Sequence, residues 1–291
     1  AELNIVDGGT SATSTTVADA DRVVMNDNGT MVQVAVTDLA AYFDDEITAM
    51  PNLVTVGAGG TSSTVAGIPL FAADNSIYTH DVSGTDDTAS KNAGYGITAL
   101  DAVKTSDNNF AVGYAALTAL TTGTENVAIG HEALRLVTTA SSNVAIGNEA
   151  MENNVAANNV AIGTKSMRAN TTGTRNIAIG TNAYDASDTE VDNIAIGFDA
   201  MTTDTAGGQH NIALGNYALD ALTSGDANIS VGNFSMGATT TGSSNVAMGY
   251  RALDANTTGA NNIAIGYDAL GANTTAADNV AVGYAAMVDN T

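Results

Sequence analysis

The feature that most constrains this chain is an internal repeat of about 17 residues. A five-residue motif, most often Asn-Val-Ala-Ile-Gly or Asn-Ile-Ala-Ile-Gly, recurs in twelve copies between Asn92 and Gly283. Successive motif asparagines are 17 residues apart, except for one step of 16 and one of 18. Such a short and regular period is typical of a solenoid, in which each repeat forms one coil that stacks on the next.

We number the positions of the repeat from the motif Asn, so that its consensus is N-[VI]-A-[IV]-G-x-x-A-[LM]-x-x-x-T-T-G-x-x. Position 8 is Ala except at Ser166 and Ser235, and position 9 is Leu or Met except at Tyr184. The position-1 residues are Asn92, Asn109, Asn126, Asn143, Asn159, Asn176, Asn193, Asn211, Asn228, Asn245, Asn262 and Asn279. The position-5 residues are Gly96, Gly113, Gly130, Gly147, Gly163, Gly180, Gly197, Gly215, Gly232, Gly249, Gly266 and Gly283.

The repeat predicts short strands. Positions 2 to 4 alternate large and small, which gives a strand with one β-branched face and one alanine face. The Gly at position 5 permits a tight bend or a close backbone approach. A second short extended piece ends at positions 8 and 9, and Thr-Thr-Gly makes the return turn. We therefore predict an all-β fold, a parallel β-roll or β-solenoid of twelve coils with two short strands each, over residues 92–291.

Stacking brings equivalent positions together in columns along a rod. Coils spaced by about 4.8 Å would make a rod about 58 Å long. Asn recurring in one column, from Asn109 to Asn279, predicts an Asn ladder in which side-chain amides bond their equivalents. A structural role is therefore favoured over a ligand role for this column.

The first strand lacks charge on both faces in nearly every copy. We therefore expect one face to fill the coil and the other to pack against sister chains around a symmetry axis, and we favour the face bearing Ala and Gly for that contact. The sequence predicts a homo-oligomer. It leaves open which strand face meets that axis.

Charge and composition limit the partners. The 291 residues include 8 basic and 31 acidic side chains, for a formal net charge of −23. Such a surface repels nucleic acid and anionic membranes, so neither is an expected partner. There is no Cys, which excludes disulfides and thiolate chemistry. No apolar run approaches the ~20 residues of a membrane helix, and "AELNIVDGG" has no signal-peptide pattern.

Several copies of the motif resemble known repeats. "NVAIG" (126–130), "NIAIG" (176–180) and "NVAMG" (245–249) are similar to the head repeats of trimeric autotransporter adhesins, which are left-handed parallel β-rolls. The adhesin repeat is shorter. "GYRALDANTTGANN" (249–262) resembles more closely the repeats of phage tail fibres and related virion fibres. The resemblance covers roughly residues 92–291 and implies a homotrimer.

The resemblance implies a structural and adhesive function. The expected protein is a fibre subunit of a bacteriophage virion, in a tail or head fibre, whose trimeric shaft meets a host-surface receptor or glycan. The alternative is the head domain of a bacterial surface adhesin, located at the cell surface. An ice-binding solenoid is a third hypothesis because Thr-Thr recurs at the turns, but "NNVAAN" (153–158) lacks the pair.

Residues 1–52 do not repeat, and we predict an N-terminal attachment or base module. Asn28-Gly29 between two apolar runs is a strong hairpin signal. Thr37 is a candidate N-cap for a short helix from Asp38 to about Ile47. The module resembles small units near the start of phage structural proteins, so other virion proteins are its expected partners.

Residues 53–91 form a predicted transition segment, which either wraps with sister chains or is flexible. Within it, "GAGGTS" (57–62) lacks the Lys and the helix of a phosphate loop.

The three histidines of the chain, His80, His131 and His210, have no partners at metal-ligand spacing, and His131 is expected to be a solvated turn residue. We expect no cofactor and no metal.

Acidic residues do not form a convincing catalytic pattern. Asp44-Asp45 and Asp86-Asp87 are adjacent pairs, and paired carboxylates can cleave glycosidic bonds. In the repeats, however, the acids occur singly, and the glycine-rich calcium pattern of other β-rolls is absent. We expect neither an enzyme nor a calcium site. The single repeat acids include Asp199, Asp220, Asp254 and Asp268.

Two further sets of repeat residues are candidates for surface contacts. The aromatic residues at position 6 would form one stripe, which either covers the coil edge by stacking, the favoured interpretation, or contacts a receptor or glycan. They are Tyr114, Phe198, Tyr250, Tyr267 and Tyr284.

Three asparagines begin Asn-Thr-Thr sequons, and we expect turn residues there rather than glycan acceptors. They are Asn170, Asn256 and Asn273.

Overall fold

The computed structural model divides the chain into two compact units, residues 1–57 with 63–69, and residues 58–62 with 70–291. It describes residues 88–289 apart from 187 and 204–206, together with the strands named below that precede residue 88. No helix in this described part of the chain is long and apolar enough to cross a membrane.

The first unit contains an antiparallel hairpin. Strand β1 (Arg22–Asp27) pairs with β2 (Thr30–Ala35), and the register joins Arg22 to Ala35 and Asp27 to Thr30. Only Asn28 and Gly29 lie between the strands, so the predicted hairpin is confirmed. Strand β3 spans Ser63–Val65. The predicted helix over 38–47 lies outside the described residues.

The second unit is built on one sheet. Strand β4 (Ile68–Ala73) pairs antiparallel with β5 (Ser76–Tyr78), and β5 is parallel to the first repeat strand. Twelve strands of three residues follow, one for each copy of the motif. They are β6 (Ala93–Tyr95), β7 (Phe110–Val112), β8 (Val127–Ile129), β9 (Val144–Ile146), β10 (Val160–Ile162), β11 (Ile177–Ile179), β12 (Ile194–Ile196), β13 (Ile212–Leu214), β14 (Ile229–Val231), β15 (Val246–Met248), β16 (Ile263–Ile265) and β17 (Val280–Val282).

The repeat strands are parallel and in register from β6 to β17. In the β10–β11 pair, Val160 faces Ile177 and Ala161 faces Ala178. Each repeat therefore completes one coil and places its strand beside the same strand of the next coil. The predicted all-β solenoid of twelve coils is confirmed.

The prediction of two strands per coil is wrong. Positions 7 and 9 of every copy, and the residue before each motif Asn, adopt left-handed backbone conformations, with φ between 47° and 64°. Residues of this conformation interrupt an extended strand, so the second half of the coil is a series of turns. Its backbone still bonds to neighbouring coils, because the Lys165 N–H donates to the Asn148 carbonyl and the Met167 N–H to the Ala183 carbonyl, both at 2.9 Å.

The core lies between the strand and these turns. Position-3 alanines such as Ala161 and Ala178 are fully buried, as are position-9 residues such as Met167 and Leu253. A small residue at position 3 leaves room in a thin coil for the larger side chain at position 9. The alanine face therefore points inward. The expectation that the Ala and Gly surface lies outside the coil is wrong.

The position-5 glycines allow the coils to stack closely. All twelve have φ between 131° and 145°, a region that side chains of L-residues avoid. A Cβ on Gly180 would lie 2.3 Å from the carbonyl oxygen of Gly197 in the next coil. Only glycine meets both requirements.

Candidate interaction surface

The Asn column lies inside the rod. Its members from Asn92 to Asn262 are at most 2 % exposed. Each Oδ1 accepts the backbone N–H of the Asn in the next coil, at 2.7–3.1 Å over all eleven steps. The amide-to-amide bond that we predicted occurs at six of these steps, at 3.0–3.2 Å.

The side-chain amide also joins the two ends of its own repeat. The Asn176 Nδ2 donates to the Glu190 carbonyl at 2.7 Å, and the Asn126 Nδ2 donates to the Ala140 carbonyl at 2.9 Å. Position 1 is thereby tied to position 15 and to the neighbouring coil. Both polar atoms serve bonds inside the rod, which gives the column a structural role.

A second buried polar column occupies position 12 in part of the rod. Asn154, Asn170, Asn256 and Asn273 are fully buried. The Asn170 Nδ2 donates to the Asn154 Oδ1 at 2.6 Å and to the Gly173 carbonyl at 3.0 Å. The three sequon asparagines are therefore inaccessible to a glycosylating enzyme in the folded chain.

Glu190 takes a position that is otherwise Gly or Ala in most coils. It is 1 % exposed. Its carboxylate accepts the backbone N–H groups of Asp188, Thr189 and Gly207 at 2.8–3.0 Å. Gly207 belongs to the single 18-residue repeat, so the carboxylate ties that longer repeat to the coil before it. This role was not predicted, although a Glu in place of the usual Gly was a visible signal in the sequence.

The β-branched face of the strands points outward. We call positions 2 and 4 of the twelve coils the strand face. None of its residues is charged. Several large apolar members are at least 36 % exposed, and exposure reaches 66 % in the last coil. They are Tyr95, Phe110, Ile196, Ile229, Met248, Ile263, Ile265, Val280 and Val282. The face is thus a continuous apolar strip that a single chain leaves partly in solvent.

Six aromatic rings form a second apolar column beside this face. Ring centroids of consecutive members are 4.9–6.3 Å apart, from coil 7 to coil 12. We call this column the aromatic ladder: Phe198, Tyr217, Phe234, Tyr250, Tyr267 and Tyr284. Tyr217 and Phe234 were not predicted, because they stand at position 7 of the two ladder coils in which position 6 is Asn. Only a comparison of both positions would have found them.

Tyr114 belongs to a separate contact. Its ring stacks on His131 of the next coil, with centroids 5.2 Å apart. His131 is exposed, as predicted, but this stacking was not. The following coils carry Asn148, Thr164 and Thr181 at position 6, so the predicted stripe is interrupted between the two aromatic groups.

The described arginine side chains all face carboxylates. The Arg135 guanidinium bonds Glu152, and Arg251 bonds Asp254 at 2.9 Å. The Arg175 Nε lies 2.6 Å from Asp192, and its hydrogen bond lowers the pKa of that carboxyl below the ordinary value. The rod therefore shields its few guanidinium groups, and the large acidic excess remains.

Burial has the opposite effect on Asp185. Its desolvation raises the pKa of the carboxyl above the ordinary value and outweighs the attraction of Arg168, whose Nε lies 3.2 Å away. Asp185 stands at position 10, in a column with Arg135, Glu152 and Arg168. Charges of alternating sign thus connect coils 3 to 6.

In coils 9 and 10, the two threonines of the Thr-Thr pair have different roles, since the one at position 13 bonds to the next coil and the one at position 14 faces solvent. At position 13, the Thr240 Oγ1 donates to the Thr257 carbonyl at 3.1 Å, and Thr257 makes the same bond to Thr274 at 3.0 Å. At position 14, Thr241 and Thr258 are exposed. Only one of the two threonine columns is therefore directed to solvent, which weakens the ice-binding hypothesis because it needs a broad, regular array.

The described residues contain no group of three or more His, Asp or Glu that could hold a metal ion. The acids of the repeats bond to nearby polar groups, as Asp199 does to the Asn182 amide at 2.9 Å. His210 lies 3.8 Å from Asp192 on the surface. The pairs Asp44-Asp45 and Asp86-Asp87, His80 and "GAGGTS" (57–62) lie outside the described residues.

Comparison of the sequence and the structure with protein-family models, curated proteins and solved structures gave no match. The strand face and the aromatic ladder are therefore the two features from which a function can be inferred.

Proposed function

We propose that the chain is a structural and adhesive fibre subunit of a bacteriophage virion. Three copies associate through the strand face into a β-roll shaft, in a tail or head fibre. The N-terminal module binds other virion proteins. The outer surface of the shaft makes contact with a receptor or glycan of the host, and no catalytic step is involved.

The observation that carries this proposal is the apolar, uncharged strand face on a chain of net charge −23. A continuous apolar strip of this kind marks an interaction surface. Because the strip runs along the whole stack, a straight partner of equal length covers it best. A second and third copy of the same rod have that shape, and a closed ring of copies covers every strip.

A rod of stacked coils suits display better than catalysis. Each coil contacts only its neighbours, so length grows with the number of repeats while the cross-section stays constant. Three parallel copies would present the same weak site three times, and such multivalency raises avidity without a tight single site.

Light scattering on the purified native chain tests the association. We expect a mass close to three times the 29.1 kDa of one chain. A stable monomer would contradict the proposal, since the strand face would then need no partner. A matched variant pair refines the test: Ile179→Glu places a charge on the strand face, whereas Thr172→Glu places one at an exposed turn position away from it. Only Ile179→Glu should abolish the trimer.

Labelling with an antibody against the chain tests the location. We expect the label on fibres of virus particles viewed by electron microscopy. Label confined to bacterial cell surfaces would reject the virion and favour the adhesin-head alternative.

A further inference from the structure

The aromatic ladder is an addition to the solenoid. The first six coils stack with the same strand pairing and the same Asn column, but have no ladder. Five of the six ladder rings are between 37 % and 79 % exposed. The rings are therefore not required for the coils to stack, and large exposed aromatic groups commonly mark contact surfaces.

The geometry of the ladder favours a partner that runs beside it. The Tyr217–Phe234, Tyr250–Tyr267 and Tyr267–Tyr284 pairs are stacked with interplanar angles of 3–16°. Their facing surfaces already cover one another, so a flat ligand cannot insert between them. The outer edges of the rings are directed to solvent, where a long surface can pack against the column.

The strand face alone is narrow for a stable contact. Twelve strands about 4.8 Å apart and three residues of about 3.3 Å give a flat area of roughly 570 Å². A standard stable interface buries about 800 Å² on each partner. Only Gly at position 5 separates the strand face from position 6, so the ladder widens the same apolar strip in the second half of the rod. The occupant that fits the whole strip is a second copy of the chain.

From the third coil to the twelfth, the strand face does not define how two copies align along the rod. Position 2 is Val or Ile in every coil from the third to the twelfth. Sliding one copy by one coil, about 4.8 Å, would place equivalent apolar residues opposite each other again. A repetitive apolar surface is weakly specified in register, and alternative alignments need a feature that opposes them.

We propose that the aromatic ladder sets the axial register between copies of the chain. It begins at Phe198, and the preceding coil has Thr181 at position 6. A slip of one coil would place the first or last ring of one copy opposite a coil without a ring, and would lose at least one aromatic contact in each chain pair. This inference rests on the self-association proposed above.

The absence of Cys from the chain allows a direct test with single cysteines. One chain carries Val246→Cys in coil 10 and the natural ladder. The second carries Ile229→Cys in coil 9 and a ladder moved one coil earlier by Thr181→Tyr with Tyr284→Thr. The matched control for the second chain carries Ile229→Cys alone. Each pair is co-expressed and oxidised, and disulfide-linked peptides are quantified by mass spectrometry.

Aligned ladders would bring position 229 of the shifted chain opposite position 246 of the other chain. We expect the 229–246 disulfide to rise about tenfold over the control pair, because one aromatic contact is worth about that preference. Disulfides form only between closely placed Cα atoms, which makes the readout sensitive to register.

An unchanged yield of the 229–246 disulfide would overturn the proposal, since the register would then be set elsewhere. In a second pair, the Val246→Cys chain and the Ile229→Cys chain keep the natural ladder and both carry Tyr114→Thr and His131→Thr, which remove the separate ring pair. The 229–229 and 246–246 disulfides should still exceed the 229–246 disulfide. Light scattering of the unmodified chain separates the two hypotheses. A monomer overturns both the self-association and the register, whereas a trimer with unchanged disulfides overturns only the register.

Discussion

At the scale of the residue, the rod depends on backbone conformations that most side chains avoid. Position 5 must be Gly both for its φ and for the close approach of the next coil, as described for Gly180. Positions 7 and 9 and the residue before each motif Asn are left-handed as well, yet they carry residues such as Lys165, Met167 and Arg175. Each of these non-glycine residues costs of order 1 kcal/mol, which the contacts between coils must offset.

Gly180→Ala tests the two requirements together. We expect a loss of more than about 3 kcal/mol in the free energy of unfolding, because strain and collision add. Chemical denaturation followed by circular dichroism measures it. Gly283→Ala is the matched control, since Gly283 has a φ of 134° and its Cβ would meet only Ala286 at 3.9 Å. Equal losses at both sites would show that the collision has no effect.

Asp185 predicts a pH dependence of stability. Burial raises its pKa above the ordinary value of 3.8, so the folded chain holds this proton to a higher pH than the unfolded chain does. The stability linked to this group is present below the ordinary value and is lost as the pH rises through the folded value. Asp185→Asn should therefore gain in Tm relative to the unmodified chain between about pH 3 and pH 7.

Asp192 provides a control of opposite sign. Its pKa is lowered by Arg175, so its contribution is present above the ordinary value and is lost as the pH falls through the folded value. Asp192→Asn should lose in Tm relative to the unmodified chain over the same rise in pH. Parallel pH profiles for the two variants and the unmodified chain would contradict both assignments.

At the scale of the element, the unit is the whole coil. Deleting residues 109–125 removes one 17-residue repeat and joins the first coil to the third with every column in phase. Because stability in a solenoid is a sum of repeats and their neighbours, we expect a folded chain with an unchanged spectrum per residue and a slightly lower Tm. Deleting only residues 109–117 should unfold the neighbouring coils, since the columns no longer align. Circular dichroism and limited proteolysis compare the two.

The elements also show how far sequence can predict this fold. The columns of Asn and Gly were predictable because each residue type meets a specific backbone need. Which face of the strand points into the coil was not predictable, since Val-Ala-Ile is apolar on both faces and periodicity does not distinguish inside from outside. The left-handed turns were missed because Lys165 and Met167 carry no signal for that conformation. The ladder was only partly predicted because Tyr217 and Phe234 shift by one position.

At the scale of the whole molecule, assembly has to overcome the electrostatic repulsion between chains that carry a large charge of the same sign. Each copy contributes −23, and salt shortens the range of repulsion from about 30 Å at 0.01 M to about 8 Å at 0.15 M. We expect the trimer to dissociate at low salt and to become more stable as salt is added. Light scattering over a salt series measures this change.

Charge-reduced chains give the control for the salt series. A variant with Asp199→Asn, Asp220→Asn and Asp268→Asn should form the trimer at lower salt than the unmodified chain. A trimer that weakens as salt is added would instead show that ion pairs between chains hold it together.

The backbone hydrogen bonds between coils have a mechanical consequence. They run along the rod, so a force applied between its two ends loads every coil-to-coil ladder in series, and the weakest ladder carries the full force. A rod of this kind would yield one coil at a time. Each detached 17-residue coil would release about 60 Å of chain, which would let the shaft extend under load and dissipate work before it breaks.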